Sequence, residues 1–306
     1  MFTPRRPLGR TGFVATQLGV GDLADRSVPF DTCVATARRA LDAGLNVIDT
    51  APNYEDGYSE EIVGAAVRGR RDGVFVIDKI DHHDAPVGLQ IEGSLSRLGL
   101  GHVDLLVFHD LSDPATFDRL CHPGGGFDQL ADAVRAGTTR YRGISSHNPD
   151  VLQKALEAGV CDVVMFPLGP FVDDRYVTDV LPRAKAAGVG TVCFKTFGGG
   201  KLLGDTTGYN QPLTVRPRGK VSSGGADDGA AVLPRLTVEE CLHYTLTLDP
   251  DVTLLGLSYP NEQDAAFAAA RSFRPLGDAE MADVRRRAAE ARRDKGPCWW
   301  NPDPLA

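Results

Sequence analysis

Apolar residues in this chain fall in short runs that alternate with amphipathic stretches almost from end to end. Runs at 17–21, 47–49, 74–79, 103–108, 141–145, 162–166, 190–195 and 252–257 read as strands. Between and after them, 31–43, 59–67, 87–98, 126–136, 150–158, 174–187 and 261–270 read as helices. Gly44, Gly159 and Gly188 stand where such helices should stop, as left-handed caps. Ser59, Glu60 and Glu61 suit the positive N-terminal end of the second helix. The strands are short and apolar, as a sheet buried on both faces requires. Eight strand–helix units in about 255 residues predict an α/β fold, a closed (β/α)8 TIM barrel rather than an open sheet.

Three stretches fall outside the alternation. Residues 7–16, with Leu8-Gly9-Arg10-Thr11-Gly12, predict an N-terminal β-hairpin. Residues 204–235, rich in Gly, Asp, Ser and Pro, form a long loop after strand seven. A loop of that length is functional or disordered, so it either clasps a ligand or stays without structure. At the C-terminal end a charged helix over 278–293 precedes Gly296-Pro297-Cys298-Trp299-Trp300-Asn301-Pro302. The whole chain, 1–306, is expected to be one barrel domain with these extensions.

Three polar residues close three successive apolar runs at equal steps of thirty: Asp49, Lys79 and His109. A strand plus a returning helix takes roughly 30 residues. Each strand therefore delivers one polar side chain at its C-terminal end, where catalytic groups collect in a barrel. Tyr54 follows five residues after Asp49. Singly, Asp49 and Lys79 read as well as an ordinary strand-end salt bridge, and Tyr54 as a loop aromatic. Together, an acid, an amine, an imidazole and a phenol look like proton-transfer machinery.

Composition narrows the classes. Lys and Arg number 33 against 41 acids, a net charge of −8, so nucleic acid has no electrostatic footprint to bind. No apolar stretch approaches the ~20 residues of a membrane helix. The N-terminus carries arginines without an apolar segment, unlike a secretory signal, and the chain reads as cytoplasmic. Cys33, Cys121, Cys161, Cys193, Cys241 and Cys298 are scattered without a Cys-x-x-Cys pair. That speaks against a zinc or iron–sulfur site and against a disulfide framework. Cys161 and Cys193 lie beside or inside strands, as small buried hydrophobes. Asp81-His82-His83-Asp84 invites a metal reading, but adjacent histidines on one loop rarely reach the same ion, and no metal is expected. Lining of a substrate pocket suits that stretch better.

Val47-Ile48-Asp49-Thr50-Ala51-Pro52-Asn53-Tyr54, with Gly57-Tyr58-Ser59-Glu60 after it, closely resembles the principal signature of the aldo-keto reductases. Leu8-Gly9-Arg10-Thr11-Gly12 and Leu18-Gly19-Val20-Gly21 resemble that family's hairpin and first strand. Lys79 and His109 fall where it keeps its lysine and histidine, and the resemblance covers essentially the whole chain. It implies an oxidoreductase that interconverts an aldehyde or ketone and an alcohol by hydride transfer with NADP(H), NAD(H) being possible. Tyr54 would be the general acid and base. A phenol near its reference pKa of ~10 donates poorly unless a cation sits close. Lys79 would be that cation, Asp49 would hold it, and His109 would orient the carbonyl through a ring N–H.

No Gly-x-Gly-x-x-Gly opens a helix after a strand, so the dinucleotide would lie across the strand ends instead. By resemblance, Gly21 and Asp22 flank it at the first strand, and Ser145 and Ser146 replace a Ser-Asn pair on the carboxamide. Met165 stands where a glutamine is usual, and Phe194, next to Lys195, stacks on the nicotinamide. Leu257, Ser258 and Gln263 correspond to the segment that grips the adenosine 2′-phosphate. The usual Lys or Arg near Leu257 and Gln263 is missing, which weakens NADP(H) against NAD(H). Arg271, Lys201, Arg216, Arg218 or Lys220 is the candidate substitute. Gly198-Gly199-Gly200-Lys201 lets backbone approach a pyrophosphate, or is a plain turn. Trp299 and Trp300 cap the substrate pocket or pack outside the barrel.

Two other readings stay open. His109-Asp110 with Asp-Thr-Ala-Pro also resembles the family's galactose/fucose dehydrogenase branch, which implies an NAD(P)-dependent aldose or lactol dehydrogenase. A non-catalytic nucleotide-sensing subunit, like the potassium-channel β subunits of the family, is the third. The partner in the first two is a small carbonyl or alcohol, with neither nucleic acid nor membrane, and no apolar surface pattern specifies an oligomer.

Overall fold

The computed structural model describes residues 4–21, 26, 28–203, 235–293, 298 and 301. Asp22, Trp299, Trp300 and residues 204–234 of the long loop lie outside them. β1 (Arg5–Pro7) and β2 (Val14–Thr16) form the antiparallel hairpin. Eight parallel strands follow: β3 (Leu18–Gly21), β4 (Val47–Asp49), β5 (Phe75–Ile80), β6 (Val103–Phe108), β7 (Thr139–Ser145), β8 (Val163–Pro167), β9 (Gly190–Phe194) and β10 (Val252–Leu255). Pairing of β10 with both β3 and β9 closes the barrel.

The helices are α1 (Phe30–Asp42), α2 (Tyr58–Val67), α3 (Val87–Leu98), α4 (Pro114–Leu120), α5 (Gly126–Ala136), α6 (Pro149–Ala158), α7 (Leu181–Ala186), α8 (Val238–Thr247), α9 (Pro260–Arg271) and α10 (Asp278–Ala291). Two of these, α4 and α8, are absent from the sequence reading. Each has a local start signal: Asp113 accepts the N–H of Thr116 at 2.7 Å, and Thr237 and Glu240 form a reciprocal capping box. The stretch read as one helix over 174–187 is a π turn (Tyr176–Val180) leading into α7. Pro182 has no N–H to give, so the regular ladder cannot run through it.

Side chains alternate across each strand. Val47, Phe75, Ile77, Leu105, Val107, Val163, Met165 and Val192 fill the barrel interior. Ile48, Val76, Leu106, Phe108, Ile144, Val164 and Phe166 pack outward in the helical layer. The hairpin plugs the bottom with Leu8, Ala15 and Phe13, whose ring lies 4.9 Å from Phe75. The mouth formed by the C-terminal strand ends is therefore opposite the plug. No described helix is long and apolar enough to cross a membrane.

Candidate active site

The alternation decides which strand-end residues enter the mouth. Val47 lies inside and Ile48 outside, so Asp49 points inward; Phe75 and Ile77 place Lys79 inward likewise, and Leu105 and Val107 do the same for His109. Lys79 Nζ donates to both carboxylate oxygens of Asp49 at 2.8 Å and to the Thr50 carbonyl at 2.6 Å. Only 2% of the lysine side chain and 6% of the aspartate side chain reach solvent. Burial alone would pull the lysine's pKa down. The Asp49 charge, then Tyr54 and the bond to Asp49, outweigh it and hold the ammonium above its ordinary value. The same Nζ stands 4.5 Å from the centre of the Tyr54 ring. The His109 ring meets Tyr54 edge-on, centres 5.6 Å apart. All four residues read from the sequence come together.

Backbone strain gathers at the same rim. Glu55 and Asp56 after β4, Asp110 after β6 and Lys195 after β9 all hold positive φ without being glycine. Such conformations persist only where surrounding structure enforces them, and they cluster at functional sites. The stretch 81–84 fans out instead of converging. Asp81 turns to His109 and Asn53, His83 Nε2 meets the His109 carbonyl at 2.9 Å, and Asp84 pairs with Arg119.

Behind Lys79, on the outer face of β5, Asp78 is wholly buried. Burial first, then the Glu60 carboxylate, raise its pKa to about 8 against the pull of Lys79 and Ser94. Glu60 is itself buried and bound by Arg97, whose Nη2 lies 3.1 Å from Oε1. An acid raised in the folded state holds a proton that the unfolded chain releases, so stability falls as pH rises from about 4 to about 8. Thermal melts should show a lower Tm at about pH 9 than at about pH 5. Asp78→Asn should flatten that slope; an unchanged slope refutes the assignment.

A family model described as the aldo/keto reductase family matches residues 16–285. The chain belongs to the aldo/keto reductase family. It is 27% identical over 290 residues to L-galactose dehydrogenase of Arabidopsis thaliana, covering 89% of each chain. It is 25% identical over 230 residues to the NADH-specific methylglyoxal reductase of Escherichia coli, covering 66% of this chain and 69% of that one. Its fold matches an aldo-keto reductase from Klebsiella pneumoniae in complex with NADPH, with a TM-score of 0.67 and 19% identity over 93% and 95% of the two chains.

The positions at which an aldo/keto reductase would meet its nucleotide divide into two groups. Ser145 ends β7 and is the register partner of Met165, the middle residue of β8, while Phe194 ends β9 opposite Pro167. Ser145 and Phe194 stand at strand ends, and Met165 lies buried below Phe194 at the level of Val192. The Phe194 ring is half-buried, with His147 edge-on at 5.2 Å. Gly21 partners Asp49, and a Cβ there would lie 3.0 Å from Asp49 Oδ2, so its bareness makes room for the acid. Gly198, Gly199 and Gly200 all have positive φ. The N–H groups of Gly198, Gly200 and Lys201 bond to the carbonyls of Lys195, Phe197 and Gly198, so a tight turn stands there.

The second group is engaged in bonds and packing within the protein. Ser146 is buried, and its Oγ accepts the Asn148 N–H at 3.1 Å, shaping the turn into α6. Leu257 is buried in the outer core. Gln263 is fully buried: Nε2 donates to the carbonyls of Thr36 at 2.9 Å and Leu257 at 3.3 Å, while Oε1 accepts from Arg39 at 3.2 Å. A buried amide must be satisfied, and these bonds satisfy it within the protein. The N–H groups of Ser258 and Tyr259 go to Glu262 Oε2 at 3.0 and 3.3 Å. Arg271 sits at the far end of α9, roughly 16 Å from its start at 1.5 Å per residue, and cannot act beside Ser258. The cation that does reach this helix start is Arg39, from α1, which sequence reading missed; it bonds to the Pro260 carbonyl and pairs with Asp264. Cys161 and Cys193 are buried, and burial pushes both thiols above their usual range, which suits small buried hydrophobes.

Proposed function

We propose that this barrel interconverts an aldehyde or ketone and its alcohol with a nicotinamide dinucleotide laid across the strand ends, in the cytoplasm, where its free cysteines suit a reducing compartment. The observation that carries the reading is the buried Lys79 ammonium, clamped by Asp49 and Thr50 and set 4.5 Å from the Tyr54 ring. A carbonyl that gains hydride becomes an alkoxide, so a donor must meet its oxygen. A cation this close favours the phenolate and so makes the Tyr54 hydroxyl a readier acid. In the other direction the phenolate takes the alcohol's proton. Asp49 keeps the ammonium charged and in place, and His109 shares the reacting oxygen with Tyr54. When bound, the nicotinamide supplies the hydride that no side chain can. Ser145, Met165 and Phe194 would seat its ring, Gly21 and Asp22 would flank it, and Lys195 with the Gly198–Lys201 turn would meet the diphosphate.

NADP(H) is the family's implied cofactor, and NAD(H) has a specific observation in its favour. Glu262 presents a carboxylate at the start of α9, on the N–H groups a 2′-phosphate would want. We expect kcat/KM with NADPH and NADH to agree within about tenfold, or 1.4 kcal/mol. Glu262→Gln should move the ratio toward NADPH. A wild-type preference beyond about a hundredfold would contradict this account.

An aldose or lactol dehydrogenase is the second reading. Asp110, Ser112 and His147 make a polar rim beside His109, with Ser112 Oγ bonded to Asp110 Oδ1 at 2.8 Å. Hydrogen-bonding groups of this kind suit a hydroxyl-rich substrate, and the similarity to L-galactose dehydrogenase points the same way. Initial rates in both directions, with simple aldehydes and with sugars, separate the two. Nucleotide binding without turnover of any of them would instead favour the sensing subunit.

A further inference from the structure

The stretch Asp81–Asp84 takes no part in the chemistry above, yet its first residue lies against the reacting groups. Asp81 Oδ1 is 2.5 Å from His109 Nδ1. Asp81 Oδ2 accepts the backbone N–H of Asn53 at 2.8 Å, and Asn53 immediately precedes Tyr54. One carboxylate, two residues past Lys79, thus ties the loop of the acid to the ring beside it. His109 is also held through its backbone: its N–H donates to Ile80 at 3.0 Å, and its carbonyl meets His83. The ring therefore has little freedom to turn.

A carboxylate can only accept, so the hydrogen between the two side chains belongs to His109 Nδ1. A neutral imidazole carries a single N–H, which leaves Nε2 as a bare acceptor. Resting on the carbonyl–alcohol reading, we propose that Asp81 is a positioning residue that fixes the hydrogen on His109 Nδ1. His109 then donates to a substrate carbonyl only as the imidazolium, and accepts a substrate hydroxyl as the neutral ring. The expectation that a ring N–H orients the carbonyl is narrowed accordingly: it holds for the charged ring.

Among the described residues, Asp81 after β5 and Tyr54 after β4 meet that ring, His83 meets its carbonyl and Asp110 follows it, while Lys79 at the end of β5 adjoins Tyr54 and His147 after β7 adjoins Asp110. Asp81 and the imidazolium form an ion pair, and Lys79 is balanced by Asp49. For carbonyl reduction the competent enzyme holds one more proton than the neutral ring provides. kcat/KM in that direction should fall as pH rises, because the neutral ring has no hydrogen on Nε2 to offer the carbonyl. The reverse direction is bound to it by an overall equilibrium that itself moves with pH, so the limb is read in reduction.

Asp81→Asn tests the assignment. The amide oxygen can still accept from Asn53, and its NH2 then faces Nδ1 as a donor, which forces the ring hydrogen to Nε2. Reduction should be followed from about pH 5 to about pH 9, the range in which a histidine changes charge. The falling limb should vanish, since a neutral ring with its hydrogen on Nε2 can donate to the carbonyl without being charged. KM for the nucleotide should stay within about twofold, since no nucleotide contact changes. An unchanged limb would overturn the proposal.

The second measurement needs no substrate. Nitrogen-15 spectra of the histidine rings, with the His109 signals identified by their loss in His109→Gln, report which nitrogen bears hydrogen at alkaline pH. Nδ1–H in the wild type and Nε2–H in Asp81→Asn support the proposal; Nε2–H in the wild type overturns it even if the variant does not fold. If no carbonyl is reduced at all, the functional reading fails while these spectra still decide the role of Asp81.

Discussion

Replacing Lys79 with methionine is expected to cost about 10²–10⁴ in kcat, the scale of positioned acid–base catalysis, and about 3–5 kcal/mol of stability, the scale of a broken buried ion pair. Both losses come from the same geometry. The ammonium is held by three oxygens and is almost wholly shielded from water. Methionine matches the stem but leaves the Asp49 carboxylate buried without its cation. The sign of the pH dependence follows from the direction of the shift. The folded pKa of Lys79 lies above the ordinary 10.5, so the stabilisation from this pair is whole below that value and is lost only as pH rises beyond it. Neutral-range melts therefore see the full effect. Urea unfolding and steady-state turnover of the same preparation check both arms. A variant that melts with the wild type and turns over within tenfold of it would show that the pair is ornamental.

A second substitution separates the two losses. Asp49→Asn added to Lys79→Met removes the orphaned charge, so the double variant should recover most of the stability and none of the turnover. Recovery of turnover would mean that the cation near Tyr54 is not what readies the phenol.

Much of this site was legible because a barrel strand converts sequence spacing into direction. Alternation across the pleat places Asp49, Lys79 and His109 on the inside once Val47, Ile77 and Val107 are known to be inside, and strand-to-strand steps of thirty bring their ends to one rim. Element boundaries were legible for the same reason, being set by runs of apolar side chains. Helix α4 was missed because seven residues are too few to show a periodicity, and α8 because the long insertion before it interrupts the alternation.

What the sequence did not show is which partner each polar group would find. Asp81-His82-His83-Asp84 is a dense cluster in one dimension, and only the loop's path reveals that its members face different neighbours. Gln263 matched its family position by register, and its amide is satisfied by Thr36, Leu257 and Arg39; the contact with Arg39 spans 224 residues, which no local pattern reports. Asp78 reads as one more polar residue of a strand end, whereas its position behind Lys79 and near Glu60 makes it a buried acid with a raised pKa. In each case the missing information is a tertiary contact, and burial then fixes the energy of that contact.

Tyr54→Phe should separate chemistry from architecture more cleanly than any change at Lys79. The Tyr54 ring is half-buried, edge-on to His109 and under the Lys79 ammonium, and phenylalanine keeps the ring while deleting only the hydroxyl. Stability should change by no more than about 1 kcal/mol, the usual net worth of one hydrogen bond. Nucleotide affinity, followed by fluorescence, should stay within about twofold, because no contact assigned to the nucleotide is touched. kcat should nonetheless fall about 10³-fold. Combining Tyr54→Phe with Lys79→Met should slow the reaction little beyond either change alone, since a cation without a phenol has nothing to activate, and groups acting as a unit are not additive. The competing possibility is that the His109 imidazolium delivers the proton itself. In that case Tyr54→Phe would keep kcat within tenfold of the wild type. Only a large loss in Tyr54→Phe, without any comparable loss of nucleotide binding or stability, places the transferred proton on the phenol.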